Sequence, residues 1–567
     1  MTPAGAQLRR WPALVALAAL AAGLALQLHL VFLVNINWDE FQRLARVHEL
    51  VRGEPMRPLQ SVWTRAFAWL TGVPGDEVTQ VIAGRLAAFG AELVALAGVY
   101  RLARRLVSPT GALYSLLSLL STAYVLHHGF SFRADPFVVA LGVWAIALAF
   151  PVVRRPRLAA ATAGALLALA LLVSLKAALY LVPVASVLLL AGGERRLARA
   201  AVLATSLAGT FGALYLLHAG ALPPPPALGA SGLAPISLTR TARTTLLSDE
   251  HPGWSYLSAS VRQSPLVWLG LLGGLAVAAA SLRRESSRRS GMLLLALGST
   301  LAVFAFYRNT FPYFYLFALA PAAPLAGLFL VRLGERLARR SALAATLATA
   351  TLWSGTAVTL VTHYARRARD EIAPQRQLVR VVHELFPESV PYIDRCSMIA
   401  SFPKVGFFMT GWGMERYRAG GPLMRTALRE GRPVFLLANT PGLWLHLTDE
   451  RARRAPYALF AEDRRLLREN FVHHWGWLWV AGKEVIFGSG GAHAEFEILI
   501  PGLYTLEAPG AIAIDGETVE PGGAVRLPQG IHHARPGGAA AAFRLRWGRR
   551  LARPAAAPLA KPLFTGF

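Results

Sequence analysis

Apolar windows long enough to cross a bilayer recur near 11–34, 80–100, 109–127, 136–153, 158–174, 177–193, 199–218, 265–282, 290–306, 312–331 and 342–362. Hydrocarbon offers no hydrogen-bond partners, so each window has to fold as a helix that satisfies its own backbone. With 54% hydrophobic residues in 567, the expected architecture is a polytopic α-helical membrane protein of about eleven transmembrane helices. Arginine clusters set its orientation. They are Arg101/Arg104/Arg105, Arg154/Arg155/Arg157, Arg195/Arg196/Arg199, Arg283/Arg284/Arg288/Arg289 and Arg332/Arg336/Arg339/Arg340. Every second loop carries one. A cytoplasmic N-terminus puts all five clusters inside and everything after about 363 outside, as the positive-inside rule requires. The formal charge of +26 therefore orients the chain and meets anionic lipid. No basic face interleaved with aromatics is present, which argues against a nucleic-acid partner.

The window that starts after Arg9-Arg10 continues to about Val34. It reads as a retained span rather than a cleaved signal peptide. Residues 1–364 form the expected membrane domain. Within it, 35–79 has Arg43, Val47 and Leu50, then Trp63, Phe67 and Leu70, at helical spacing, which predicts two short interfacial helices. The 219–264 segment opens on Pro223–Pro226, contains Asp249-Glu250-His251-Pro252, and has helical turns expected near Trp254–Val261. Residues 365–485 predict a small α/β domain: helices near 371–386 and 461–470, strands at Val434–Ala438 and Leu478–Ala481. Residues 486–567 alternate like strands between Pro501-Gly502, Pro509-Gly510, Asp515-Gly516, Pro521-Gly522 and Pro528–Gly530, which predicts a small β-sandwich-like module. The lone cysteine, Cys396, excludes an intrachain disulfide. No C-x-x-C or H-E-x-x-H motif is present.

Polar residues on the outside are few and distinctive. Asp39-Glu40 follows the first span within Asn35-Ile-Asn-Trp-Asp-Glu-Phe41. Ser131-Phe-Arg133-Ala-Asp135-Pro136 leads into the fourth, Ser174-Leu-Lys176 joins the fifth and sixth, and Tyr307-Arg308-Asn-Thr-Phe-Pro-Tyr313 joins the ninth and tenth. Single cations on the side where cations are disfavoured invite a chemical explanation. Arginine grips phosphate oxygens in bidentate fashion and lysine supplies a point charge. A carboxylate can take a proton from an attacking hydroxyl. The same residues also admit structural roles. Asp39 and Glu40 can cap a helix, Arg133 and Asp135 can pair at the interface, Lys176 can snorkel, and Arg308 can anchor a span beside Tyr313 and Tyr315. His127-His128 and His473-His474 read as interfacial and strand-edge residues rather than metal ligands.

In the order and sidedness of these motifs the chain resembles the glycosyltransferase-C superfold. Within it, the chain is similar to bacterial relatives of dolichyl-phosphate-mannose protein mannosyltransferases and of the lipid A aminoarabinose transferase. The resemblance covers the layout of about residues 1–365. It implies inverting sugar transfer from a polyprenyl-phosphate donor to an acceptor on the outer face. Asp39 would be the general base, with Glu40 supporting it or touching the acceptor. Arg133, Lys176, Arg308 and Arg85 would bind the donor phosphate, and Asp135 would orient Arg133 or bind the sugar. No cofactor is expected, although Asp39, Glu40 and Asp135 could together hold a divalent cation. The Ala/Arg-rich, Lys-poor composition suggests a high-GC bacterium, and with it undecaprenyl phosphate and an inner-membrane location. The acceptor, whether protein, lipid A or another envelope glycan, is left open. A flippase of lipid-linked sugars and a non-catalytic glycan-binding protein are the alternatives. Against the first stand the lack of an internal repeat and the placement of charges at span ends.

Overall fold

The computed structural model describes residues 11–59, 61–150, 155–191, 193, 195–223, 253–455, 457–488, 493–538, 541–559 and 561–565. All eleven apolar windows are helical there, but not as eleven uniform spans. Six helices are long and apolar enough to cross a membrane: Leu14–Leu33, Glu77–Ala103, Pro156–Val173, Arg196–Gly220, Glu285–Phe306 and Ala342–Arg367. Two further pairs pass the same test together, but each is bent at a proline. Trp254–Gln263 meets Pro265–Ser281 at 103°, and Pro312–Ala322 meets Pro324–Ala338 at 53°. Pro109–Leu120, Asp135–Ala149 and Leu175–Ala191 are shorter. Hydropathy windows register apolar length and are blind to these breaks.

Close packing at glycine draws the helices together. A Cβ on Gly327 would lie 2.2 Å from the carbonyl oxygen of Gly111, and one on Gly84 would lie 2.5 Å from the Phe132 ring. The second contact brings the Ser131–Asp135 loop against the second span. One ionisable group departs from the expectation that charge sits at span ends. Glu92 lies in the middle of Glu77–Ala103, fully buried, and accepts a 3.1 Å hydrogen bond from Gln27 Nε2.

The segment after the first span forms a Trp38–Val51 helix, a Val62–Ala66 turn and a 3₁₀ turn over Ala68–Gly72. Its apolar face differs in register from the expected one. Phe41, Leu44 and Val47 are buried, so Arg43 turns off that face. Trp63, Phe67 and Leu70 are buried as expected.

Outside the helical region the strands are β1 (Tyr392–Ile393), β2 (Phe435–Leu437), β3 (Phe471–Trp475), β4 (Leu478–Ile486), β5 (Ala494–Ile498), β6 (Gly502–Glu507), β7 (Ile512–Ile514), β8 (Glu517–Val519), β9 (Ala524–Leu527), β10 (Gly530–Pro536) and β11 (Ala542–Trp547). One seven-stranded sheet runs β1-β2-β4-β11-β6-β9, with β3 also on β4. A four-stranded sheet runs β5-β10-β7-β8. The β7–β8 hairpin turns on Asp515-Gly516, both at positive φ, as this dipeptide favours. Phe496 and Phe543 meet edge-on between the two sheets at 5.8 Å. The expected domain boundary at 485 falls inside β4, whose first half pairs with β2 and β3 and whose second half pairs with β11. The α/β and β-rich segments are therefore stitched by one strand.

The outer region docks on the second span through its Ala373–Leu385 helix. His383 Nε2 lies 2.8 Å from Glu77 Oε2, and Ser401 Oγ donates to Glu77 Oε1 at 2.5 Å. The Glu77 hydrogen bond, opposed by burial, holds His383 above its ordinary value. A raised histidine contributes stability that is complete below its unfolded pKa and lost as pH climbs through the folded one. Raising the pH from about 6 to about 8 should therefore lower the melting temperature. The slope should shrink in His383→Gln; an identical slope in that variant would remove His383 from the account.

Candidate active site

The Trp38–Val51 helix begins with a capping box. Asn37 Oδ1 accepts from the Asp39 amide, and Glu40 Oε1 accepts from the Asn37 amide, both at 3.0 Å. Successive helical residues point about 100° apart, so the two carboxylates part company. Glu40 turns inward, 1% exposed, to Arg85, also 1% exposed. Arg85 Nε and Nη2 bind its two oxygens at 2.8 and 2.7 Å, and the Phe132 amide donates at 2.8 Å. The other Arg85 N–H groups go to the carbonyls of Val31, Val34 and Asn35 at 2.8–3.1 Å. Burial raises the Glu40 pKa, but Arg85 and the two amides outweigh it and hold the carboxyl below its ordinary value. Glu40 has no oxygen left for an acceptor, and Arg85 has no N–H left for a phosphate. Together they pin the end of the first span, the interfacial helix, the second span and the Ser131–Asp135 loop.

Asp39 faces the other way, with 22% of its side chain exposed. Its Oδ2 accepts from Arg133 Nη1. Its Oδ1 makes no hydrogen bond among the described residues. Arg133 Nε lies 3.7 Å from Asp135 Oδ2, and Asp135 Oδ1 accepts from Lys176 Nζ at 2.5 Å. The Arg133 guanidinium lies on the Tyr313 ring, 3.3 Å from its centroid. Burial opposes its charge, yet Asp39 above all, then Tyr313 and Asp135, holds Arg133 above its ordinary value.

Helical spacing predicts Arg43 on an amphipathic face. It stands four residues after Asp39, hence on the same side of the helix. Its charge is felt with those of Arg133, Asp39 and Asp135, and its guanidinium lies 5.5 Å from the Trp63 ring centroid. It makes no hydrogen bond or ion pair among the described residues. Burial and the Arg133 charge pull its pKa below the ordinary value. The cluster thus sets three cations, Arg43, Arg133 and Lys176, against two carboxylates, Asp39 and Asp135. One positive charge is in excess.

Other expected residues lie elsewhere. Arg308 turns to the outer region, where Nη2 meets Glu415 Oε1 at 3.0 Å and the guanidinium sits over Trp412. Tyr313, on the same loop, reaches the cluster instead. Asp39, Glu40 and Asp135 do not form a cation cage, because Glu40 belongs to Arg85; no group of three metal-ligating side chains occurs among the described residues. His127 Nε2 is spent on the His363 carbonyl at 3.0 Å. Asp249-Glu250-His251 lies outside the described residues. The chain's last segment returns to the site, a contact that no periodicity announces. The Leu563 carbonyl accepts from Asn35 Nδ2 and Gln375 Nε2, each at 2.7 Å, and Phe564 packs edge-on against Trp38 and Phe41. A polar cavity of about 260 Å³ lies alongside the same helix, lined by Glu49, Arg52, Ser397, Lys404 and Phe408.

Interfacial helix, basic cluster, multi-pass bundle and outer domain together have the architecture of the glycosyltransferase-C superfold. ArnT from Cupriavidus metallidurans bound to undecaprenyl phosphate superposes with a TM-score of 0.52 at 14% identity, covering 75% of this chain and 93% of that one. The oligosaccharyltransferase AglB from Archaeoglobus fulgidus, in complex with an inhibitory peptide and a dolichol-phosphate, gives 0.49 at 12% identity, covering 91% and 76%. More particularly, residues 64–217 match the family Dolichyl-phosphate-mannose-protein mannosyltransferase. No curated protein matches the chain in sequence.

Proposed function

We infer that the chain is a membrane glycosyltransferase that moves a sugar from a polyprenyl-phosphate donor to an acceptor hydroxyl on the outer face. The observation that carries this reading is the cluster of three cations and two carboxylates around an Asp39 with a free oxygen. The donor is a phosphodiester with one negative charge, which the excess cation balances. The acceptor oxygen attacks the anomeric carbon and loses its proton to Asp39 Oδ1. The bond from that carbon to the phosphate oxygen breaks, and its electron pair leaves with the lipid phosphate. The sugar inverts, because attack and departure are in line. The product phosphate gains negative charge as the bond breaks, so Arg43 and Lys176 bind the transition state more tightly than the substrate. Arg133 holds Asp39 in position, and Asp135 holds Arg133 and Lys176.

Side-chain cations do here what a divalent metal does in other transferases. With the arginine clusters facing the cytoplasm, the site opens on the periplasmic side of a bacterial inner membrane, and the lipid tail lies among the helices. Undecaprenyl phosphate is the proposed carrier. A glycan, lipid A or protein acceptor would come from the outer region.

The test uses the full-length protein in lipid nanodiscs with a panel of undecaprenyl-phosphate sugars, with and without chelator. Loss of one donor, followed by mass spectrometry and unaffected by chelator, is the expected result. Binding of all donors without turnover, in the presence of envelope glycan, lipid A and protein acceptors, would favour the flippase or binding-protein readings. Arg43→Gln should weaken undecaprenyl phosphate binding by about tenfold to a hundredfold, the worth of a hydrogen bond to a charged group, and Arg43→Lys by less. Unchanged affinity in Arg43→Gln would take Arg43 out of the donor site.

A further inference from the structure

A buried charge needs a countercharge, and the outer region carries one that has no ion pair among the described residues. Arg395 follows β1 and is 7% exposed. Its Nε and Nη2 are buried without a hydrogen-bond partner among the described residues. The adjacent Asp394 is spent elsewhere. It accepts from the amides of Ser397 and Met398 at 2.7 and 2.8 Å and from Asn439 Nδ2 at 3.0 Å, and it pairs with Lys404 at 3.5 Å.

Aromatic rings hold the Arg395 guanidinium. Its central carbon lies 3.9 Å from the Trp38 ring centroid and 4.5 Å from that of Tyr457. Such contacts occupy the face of a guanidinium and leave its edge, where anions bind. Tyr457 holds its ring there from a backbone φ of +60°, a region that bulky residues rarely adopt. Asn439 Oδ1 accepts from the Arg395 amide at 3.0 Å, which ties the stretch after Asn439 to this loop; on that stretch Thr440 Oγ1 and Trp444 Nε1 are buried without hydrogen-bond partners among the described residues. Trp38 immediately precedes Asp39. The unpaired edge therefore belongs to a residue that packs on the chain neighbour of the proposed base, yet it comes from the outer region, whereas Arg43, Arg133 and Lys176 come from the helical region.

We propose that Arg395 is an acceptor-side anion site: the acceptor carries a phosphate or carboxylate close to the hydroxyl it presents to Asp39. The word acceptor rests on the glycosyltransferase reading; the anion site does not.

The experiment uses the full-length protein in phosphatidylcholine nanodiscs, saturated with undecaprenyl phosphate so that the donor site is filled. Glucosamine 6-phosphate, glucuronic acid and glucosamine are titrated separately and binding is read by saturation-transfer NMR. At least one anionic sugar should bind ten times more tightly than glucosamine or better. The preference should vanish in Arg395→Gln and survive in part in Arg395→Lys. The phosphate and carboxylate arms identify the group. Equal binding of all three sugars to the wild-type protein overturns the proposal, and that comparison needs no folded variant. A tenfold loss of undecaprenyl phosphate affinity in Arg395→Gln, measured without sugar, also overturns it by assigning Arg395 to the donor. Because binding is read without turnover, failure of the donor-consumption assay would count against the enzymatic reading and leave this result standing.

Discussion

Asp39→Asn is expected to cut sugar transfer by about 10²–10⁴-fold, the usual contribution of a positioned general base, while undecaprenyl phosphate binds at least as tightly as before. The substitution keeps the shape of the side chain and an oxygen for Arg133 Nη1. It removes a carboxylate that is 22% exposed and whose Oδ1 has no hydrogen bond among the described residues, whereas Asp135 is buried between Arg133 and Lys176. The effect on binding has a definite sign. Asp39 and Asp135 oppose Arg43, Arg133 and Lys176; losing one carboxylate raises the excess from one positive charge to two, which favours a bound phosphate. Donor loss by mass spectrometry and lipid binding are to be measured on the same preparation. Turnover near the wild-type level would end the assignment of Asp39. Loss of both turnover and lipid binding would mean that Asp39 builds the site rather than reacts in it.

The second large effect falls on folding. Glu40→Leu should destabilise the protein by about 3–5 kcal/mol, because it strands the Arg85 charge in an apolar interior. Arg85→Leu should cost a similar amount, since it also orphans the carbonyls of Val31, Val34 and Asn35. The double variant removes both charges and should recover part of the loss, but not the carbonyl part. Denaturant-induced unfolding in detergent, read as a double-mutant cycle, measures the coupling. Should Arg85→Lys unfold like the wild type and yet fail to bind undecaprenyl phosphate, Arg85 would be a donor ligand after all. The structure argues otherwise, since all five of its N–H groups are already engaged.

Asp39 and Glu40 illustrate what a linear reading can and cannot separate. Two adjacent acids after a span mark a place where charge is being managed. Which acid faces the site depends on the helical register, and the capping box sets that register. The apolar face was expected at Arg43, Val47 and Leu50, and it lies at Phe41, Leu44 and Val47. That shift turns Arg43 from a bystander into a member of the cluster, with no hydrogen bond or ion pair among the described residues. Arg308 shows the reverse error. Its loop does reach the cluster, but through Tyr313, while the arginine itself reaches back to Glu415. Loop side chains have no periodicity from which a direction can be read.

Arg133, Asp135 and Lys176 stand out in the sequence because they lie in short segments between apolar windows, away from the arginine clusters, and the structure brings the three side chains together. The helices of the bundle and most outer strands were legible for a related reason. Their patterns answer to local rules: apolar length for spans, period two for strands, Gly and Asp at hairpin turns. Bends at Pro265 and Pro324 changed their shape without changing their place.

The sequence by itself thus determined a bundle of apolar helices and a C-terminal region of helices and strands, because solvation acts on each segment separately. Only the tertiary structure decided that Glu40 belongs to Arg85, that Arg43 joins the basic cluster, that Leu563 and Gln375 clasp the segment leading to Asp39, and that Arg395 lies on Trp38 with no ion pair among the described residues. Those contacts join residues 45 to 528 positions apart in the chain. Long-range pairing of buried polar groups is fixed by which partners the whole fold brings within reach, and no local pattern of residue types encodes it.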